Sequence, residues 1–453
     1  MISRGFTGAA AAALALGLAA PHAHAGPYSE VPSAFDEDDN FDLNLRLDYS
    51  LDVRRGKIQR ENVGEAGTTA DDPIPLDDDL SYAGTRHTLT PQLEMGLFHD
   101  TWVSVGLPIV IRDTRSLSLD VDRSASSTIR DGLLPQSGFD SHDPSGPGFT
   151  SGDMIFRGPT RAGLDQVHLG LGVAPMNQER DDTKPTWKLH AELRIPIGTV
   201  QSFDRMDPGS DTGVGRGLWE VDLSTSVAKQ LTWAEPYVEL WWRAPFKQTK
   251  DAHFHDLGFG SRRTSAQQQA GTRFGFDAFV LNKPEAHQRV SLQFEASLIG
   301  KFEGRSYTEM WEVFQYAGDA RVGGPLVLDK DPVTAGVQAA SYPGVSNVEN
   351  YLAMGGRVGI QAELGEKVRF GAGFQLTHDQ SHIISFADAG RDKRTCSGSA
   401  MPPDCETMSN DVVDPGTDEV NPHYVDTIDL VGRRYRLDGA TDYSFLVDAR
   451  VLF

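Results

Sequence analysis

From Phe41 to Arg54 the chain alternates without a fault. Phe41, Leu43, Leu45, Leu47, Tyr49, Leu51 and Val53 fall on one face, and Asp42, Asn44, Arg46, Asp48, Ser50, Asp52 and Arg54 on the other. Successive side chains of a β-strand point to opposite sides, so this run predicts a strand with one apolar and one charged face. The same template predicts strands at 87–97, 101–112, 164–173, 186–197, 218–230, 237–243, 269–281, 289–300, 351–363, 367–377 and 443–453, twelve in all. The last places Tyr443, Phe445, Val447, Ala449, Val451 and Phe453 on one face, with Ser444, Asp448 and Arg450 opposite. Membrane-crossing β-strands need about 9–11 tilted residues, and bacterial single-chain barrels use even strand numbers. The pattern therefore predicts an all-β fold, a transmembrane antiparallel up-and-down β-barrel spanning 41–453.

The links between the strands sort by length. Short ones at 98–100, 174–185, 231–236, 282–288 and 364–366 alternate with long ones near 55–86, 113–163, 198–217, 244–268, 301–350 and 378–442. A barrel with both ends of the chain on one side of the membrane requires this: short periplasmic turns and long extracellular loops. The long links are rich in Asp, Gly, Pro and Ser, as in Asp143-Pro-Ser-Gly-Pro-Gly148, and are expected in water.

At the N-terminus, Arg4 precedes the apolar run Ala9–Ala20 and the small-residue site Ala23-His24-Ala25, which reads as a secretory signal peptide over 1–25. Residues 26–40 form an acidic segment ahead of the barrel. No later stretch offers 18 uninterrupted apolar residues, so a helical membrane protein is excluded. Removal of Arg4 with the signal takes the formal net charge from −22 to −23, which argues against nucleic acid as a partner. The expected destination is the outer membrane of a Gram-negative cell. The expected partners are its lipid and lipopolysaccharide, the barrel-assembly machinery and a small solute. The two cysteines, Cys396 and Cys405, lie close together in a Pro/Gly/Asp-rich stretch of an exported chain, and a loop-closing disulfide is expected.

The charged faces supply the candidate site. A lipid-facing Arg near the bilayer midplane costs about 2–4 kcal/mol, so the charges must line the lumen. The candidates are Arg46, Arg86, Glu94, Lys188, His190, Glu192, Arg194, Glu220, Asp222, Trp241, Arg273, Asp277, Arg289, Glu295, Arg357, Arg369, Asp448 and Arg450. Such a wall can set up a transverse field for polar solutes, or pair its charges into a network that closes the lumen. Structural pairing is the commoner role of any single charge. Trp102, Trp187, Trp219, Trp233, Tyr237 and Trp242 lie near strand ends, as interfacial girdles do, whereas alternation turns Trp241 to the face of Tyr237 and Glu239. No G-x-S-x-G nucleophile, no calcium loop and no convincing metal-ligand set occurs, His253/His255 and His378/His382 lacking further ligands. Neither a catalytic site nor a cofactor is expected.

Four stretches carry a family resemblance: Gly163-Leu-Asp-Gln-Val-His-Leu-Gly-Leu-Gly172, Leu189-His-Ala-Glu-Leu-Arg-Ile-Pro-Ile-Gly-Thr199, Gly213-Val-Gly-Arg-Gly-Leu-Trp-Glu-Val-Asp-Leu223 and Val103-Ser-Val-Gly-Leu-Pro-Ile-Val110. Together they resemble the outer-membrane barrels associated with the phenol meta-cleavage pathway. The resemblance implies a channel or facilitator for small solutes, hydrophobic and aromatic ones included. The alternatives are a non-conducting structural or surface-binding barrel and, third, a barrel lipase.

Overall fold

A computed structural model describes residues 28–34, 42–62, 74–120, 127–210, 212–255, 265–283, 286–329, 336, 338–365, 367–387, 394–395, 405–406, 421 and 423–453. The signal peptide expected over 1–25 lies outside the described residues, as does Cys396, and with it the expected disulfide.

Twelve antiparallel strands close into a barrel. The first strand, Leu43–Glu61, pairs along its length with Leu76–Phe98 on one side and with the last strand, Tyr435–Leu452, on the other. The closing register sets Asn44 opposite Leu452, Tyr49 opposite Val447 and Arg60 opposite Tyr435. Leu43 and Phe453 exchange backbone hydrogen bonds of 3.2 and 3.0 Å. With no free edge, every strand finds partners on both sides, the condition for β-structure in lipid. The remaining strands are Thr186–Pro196, Leu218–Ala228, Ala234–Gln248, Gln269–Lys283, Gln288–Lys301, Tyr351–Leu364 and Val368–Asp379, plus two that are interrupted. Apolar side chains cover the outside: Leu47 is 46% exposed, Leu240 55% and Val447 54%. Their inward neighbours are polar, so the barrel stands in a bilayer and not in water.

The two interrupted strands are neighbours. Thr101–Gly106 continues as Ile109–Leu119 after Leu107-Pro108, and Arg161–Leu164 continues as Gln166–Met176 after Asp165. Pro108 has no N–H to give to a ladder. At Asp165 the carboxylate instead accepts from the Arg216 backbone N at 2.9 Å and from its Nε at 3.2 Å. The Gly163, Pro196-x-Gly198 and Gly213–Gly217 motifs meet here. Gly198 lies so near the Leu164 carbonyl that a Cβ would sit 1.5 Å from its oxygen, and only glycine fits.

The strands run further than the alternation predicts. The first continues from Arg54 to Glu61, the second starts at Leu76 and the last at Tyr435, so much of the link expected at 55–86, and the end of the one expected at 378–442, is sheet. Polarity inverts in these extensions. Ile58, Leu80 and Leu437 turn inward and are fully buried, while Arg55 and Lys57 turn out into solvent.

What the inverted faces pack against corrects the expectation that the long links belong in water. The link 302–350 carries the helix Trp311–Ala317, whose residues are all buried except Gln315. Trp311 and Phe314 join Tyr342 of the same link and Leu133, Leu134, Phe139, Phe156, Phe203, Ile384 and Ile428 from other long links in one apolar cluster. This roof sits in the long-loop mouth of the barrel. Its deepest ion pair is Arg161–Glu312, at 2.9 Å with both side chains almost fully buried. The Arg161 guanidinium also lies 4.9 Å from the Trp311 ring centre.

Candidate functional site

Alternation along each strand carries the charges inward, and the barrel brings together residues far apart in sequence. Near its middle Arg46 pairs with Asp48 at 2.7 Å, and Asp48 stands opposite Asp448 on the closing strand. Glu192 accepts from Arg194 at 2.7 Å and lies 3.4 Å from His168. Arg194 reaches Asp222 at 3.3 Å, and Asp222 also holds Arg243 at 2.9 Å. Arg273 pairs with Glu239 at 3.2 Å, and both Arg243 and Arg273 lie over the buried Trp241 ring, 5.5 and 5.9 Å from its centre. Glu295 accepts from Tyr237 at 2.8 Å and faces Arg357 across the ladder. Above them Arg86 lies 3.8 Å from Asp113, and Glu220 takes Arg216 at 2.7 Å and Gln166 at 2.9 Å. His190 contacts the Ser104 hydroxyl at 3.2 Å. The wall is largely a network of pairs, with like charges facing each other at Asp48 and Asp448.

Three inward aromatics have a common local cause. Trp102, Tyr237 and Trp241 stand opposite Gly172, Gly275 and Gly271, and each ring lies over the glycine, where a Cβ would come within 2.1 to 2.9 Å of ring atoms. Trp102 and Tyr237, expected in interfacial girdles, are therefore buried in the lumen, at 5% and 6% exposure. Trp233, at 66%, is outside.

At the short-turn end the chain's own N-terminal segment crosses the lumen. Residues 28–34 touch inward side chains from six strands around the barrel. The backbone N–H groups of Tyr28 and Ser29 donate to Glu235 Oε1 at 3.1 and 2.6 Å. The Tyr28 ring stacks on Tyr237 with centroids 3.6 Å apart and planes at 14°. Lys188 Nζ donates to the Glu30 carbonyl at 3.3 Å, and the Glu30 carboxylate accepts from Arg369 and from Arg450, the latter at 3.5 Å. Arg450 also binds Glu94 at 2.9 Å, and Glu363 joins Arg289 at 2.7 Å to Arg369 at 3.1 Å. Val31 packs on Trp102 and Ala174, and Ala34 is bridged to His99. Asp277 stands directly opposite Glu235, is fully buried, and accepts from Gln293 at 3.1 Å. Glu30 and Tyr28 escaped the sequence reading because seven residues without alternation give no period to detect. Arg243 and Glu239 were accessible to it, since they share a face with Trp241.

Closed register, apolar exterior and charged interior together define a transmembrane β-barrel of the outer-membrane type. No family model and no curated protein matches the sequence. Among solved structures, 95% of the chain aligns with 100% of an outer-membrane channel from Pseudomonas putida at 9% identity and a TM-score of 0.40. A FadL homologue from Pseudomonas aeruginosa aligns over 91% of this chain and 90% of its own, at 9% identity and a TM-score of 0.30. The outer-membrane protease OmpT from Escherichia coli aligns over 92% and 99%, at 6% identity and a TM-score of 0.27. The fold class rests on the barrel's own closed register.

Proposed function

We propose that this chain is an outer-membrane channel or facilitator for small solutes, exported with a signal peptide over 1–25 and entered at its long-loop face. The observation that supports this reading best is the set of inward-facing charges that lines the barrel between the roof and the N-terminal segment. A barrel needed only as a scaffold has no use for so many desolvated charges, each of which costs free energy to hold away from water even when paired. In this reading the segment 26–40 precedes the barrel 41–453, its residues 28–34 act as a movable stopper, and paired lumen charges set selectivity. The sequence resemblance to barrels of the phenol meta-cleavage pathway extends the solute class to aromatic molecules. Lipid and lipopolysaccharide surround the belt, and the barrel-assembly machinery inserts it. No catalytic group is assigned.

One observation favours a second reading. The apolar residues of the roof are as buried as those of a protein core, which suits a non-conducting structural or surface-binding barrel. Reconstitution decides between them: ion conductance or liposome swelling from the mature chain, or from a variant loosened at both ends, supports the channel, and silence from both overturns it.

A further inference from the structure

Glu30 sits where a ligand would. Its carboxylate is held by two guanidiniums from adjacent strands, Arg369 and Arg450, and Lys188 donates to the carbonyl of the same residue. Arg450 keeps a further buried donor, Nε, that has no hydrogen-bond partner. Paired arginines in a partly desolvated setting are a strong and geometrically specific carboxylate receptor. Two residues earlier, the Tyr28 ring covers the face of Tyr237. The segment thus presents one aromatic ring and one carboxylate to two separate groups of the wall. Residues two apart in an extended chain have Cα atoms roughly 7 Å apart, which sets the scale of the molecule that could replace them.

Charge pairing shows what replacement requires. The cations Arg289, Arg369, Arg450 and Lys188 face the carboxylates Glu30, Glu94, Glu363 and Glu235, and Asp277 stands beside Glu235. Departure of Glu30 takes a carboxylate partner from both Arg369 and Arg450, in a partly desolvated site where weakened pairing of a buried charge is costly. An incoming carboxylate restores the pairing, whereas a neutral molecule of the same shape does not.

We propose that Arg369, Arg450, Lys188 and the face of Tyr237 form a binding site for a small aromatic carboxylate. Residues 28–30 occupy that site as a tethered stand-in, and the ligand displaces them to open the short-turn end. The inference rests on the channel reading and assigns that channel its solute class and its gate.

The test uses 3-phenylpropionate, the neutral 3-phenylpropanol and acetate as probes, with equilibrium dialysis against the mature protein in detergent. Glu30→Ala removes the competing carboxylate and should tighten 3-phenylpropionate binding at least tenfold. Glu30→Asp should stay near wild type. Adding Arg369→Gln to Glu30→Ala should return the affinity to the wild-type level or below, and Glu363 then still has Arg289 as its partner. Acetate should bind more weakly than 3-phenylpropionate, and 3-phenylpropanol should show no gain from Glu30→Ala. Equal affinity in wild type and Glu30→Ala, or equal gains for the alcohol and the acid, overturns the proposal. Heat-dependent gel mobility confirms that each variant is a folded barrel. Conductance of Glu30→Ala/Glu312→Ala, read in parallel, separates the two claims. A conducting variant that ignores the carboxylate refutes this site alone, and a silent variant that binds it refutes the channel.

Discussion

Replacing Glu312 by Ala should open the roof while leaving the barrel intact. Arg161 is 1% exposed and its Nε lies 3.0 Å from Glu312 Oε1, with a second contact of 2.9 Å from Nη2. Breaking a buried ion pair from one side costs about 3–5 kcal/mol, because the remaining charge stays buried. Here Arg161 keeps the carbonyls of Gly213 at 3.1 Å and Ser202 at 2.7 Å, so the lower end applies. About 3 kcal/mol corresponds to an increase on the order of a hundredfold in the open fraction. Amide hydrogen exchange in detergent, followed on peptides covering 308–320, should accelerate by that factor, with peptides from the closing strand unchanged. Removing both charges with well-packed apolar residues, as in Arg161→Met with Glu312→Leu, should recover most of the loss. A change below threefold in the single variant would show that the pair does not hold the roof, and that the apolar cluster alone does.

Three further outcomes follow from the same structure. Val447→Arg, on the lipid face, should destabilise the barrel by about 2–4 kcal/mol in vesicle refolding titrations, whereas Ser224→Arg on the inner face should cost less; equal losses would contradict the assignment of faces. Gly172→Ala drives a Cβ to within 2.1 Å of the Trp102 ring and should cost about 1–3 kcal/mol in the same titration, an unchanged midpoint refuting the close approach. In the roof, burial pushes Asp429 up to about 8 and His423 down to about 3. Below about pH 6.5 the unfolded segment takes a proton on the histidine that the folded one refuses, and above about pH 4 it releases one from the aspartate that the folded one keeps, so the two slopes cancel in between. Above pH 6.5 only the aspartate term is left, and local stability should fall by about 2 kcal/mol toward pH 8. Hydrogen exchange of 423–435, corrected for its intrinsic pH dependence, should show this fall in wild type and not in Asp429→Asn; a rise with pH would contradict the buried carboxyl.

The barrel was legible because lipid imposes one rule on every strand. Leu45, Leu47, Val447 and Phe445 must all face out, and alternation then settles the direction of Asp48 and Asp448 without knowledge of the fold. The rule lapses where lipid ends. From Ile58 and Leu437 onward the apolar side turns inward to meet the roof, and a reading tuned to the first polarity stops at Arg54. The helix at Trp311 was hidden for a related reason, since a seven-residue element buried at every position but Gln315 has no amphipathic stripe. In the lumen, alternation tells which way Arg369 and Arg450 point but not that they share Glu30, more than 300 residues away in sequence. That pairing depends on closure of the barrel and on the path of the N-terminal segment, neither of which is a local property.

Single-channel recording in planar bilayers tests the central claim most directly, with the full mature chain beside Glu30→Ala and Glu30→Ala/Glu312→Ala. Discrete conductance steps, rare in wild type and larger or more frequent as first the short-turn end and then the roof is loosened, are the predicted result. Absence of steps from all three folded proteins, with no swelling of liposomes that carry them, would contradict it.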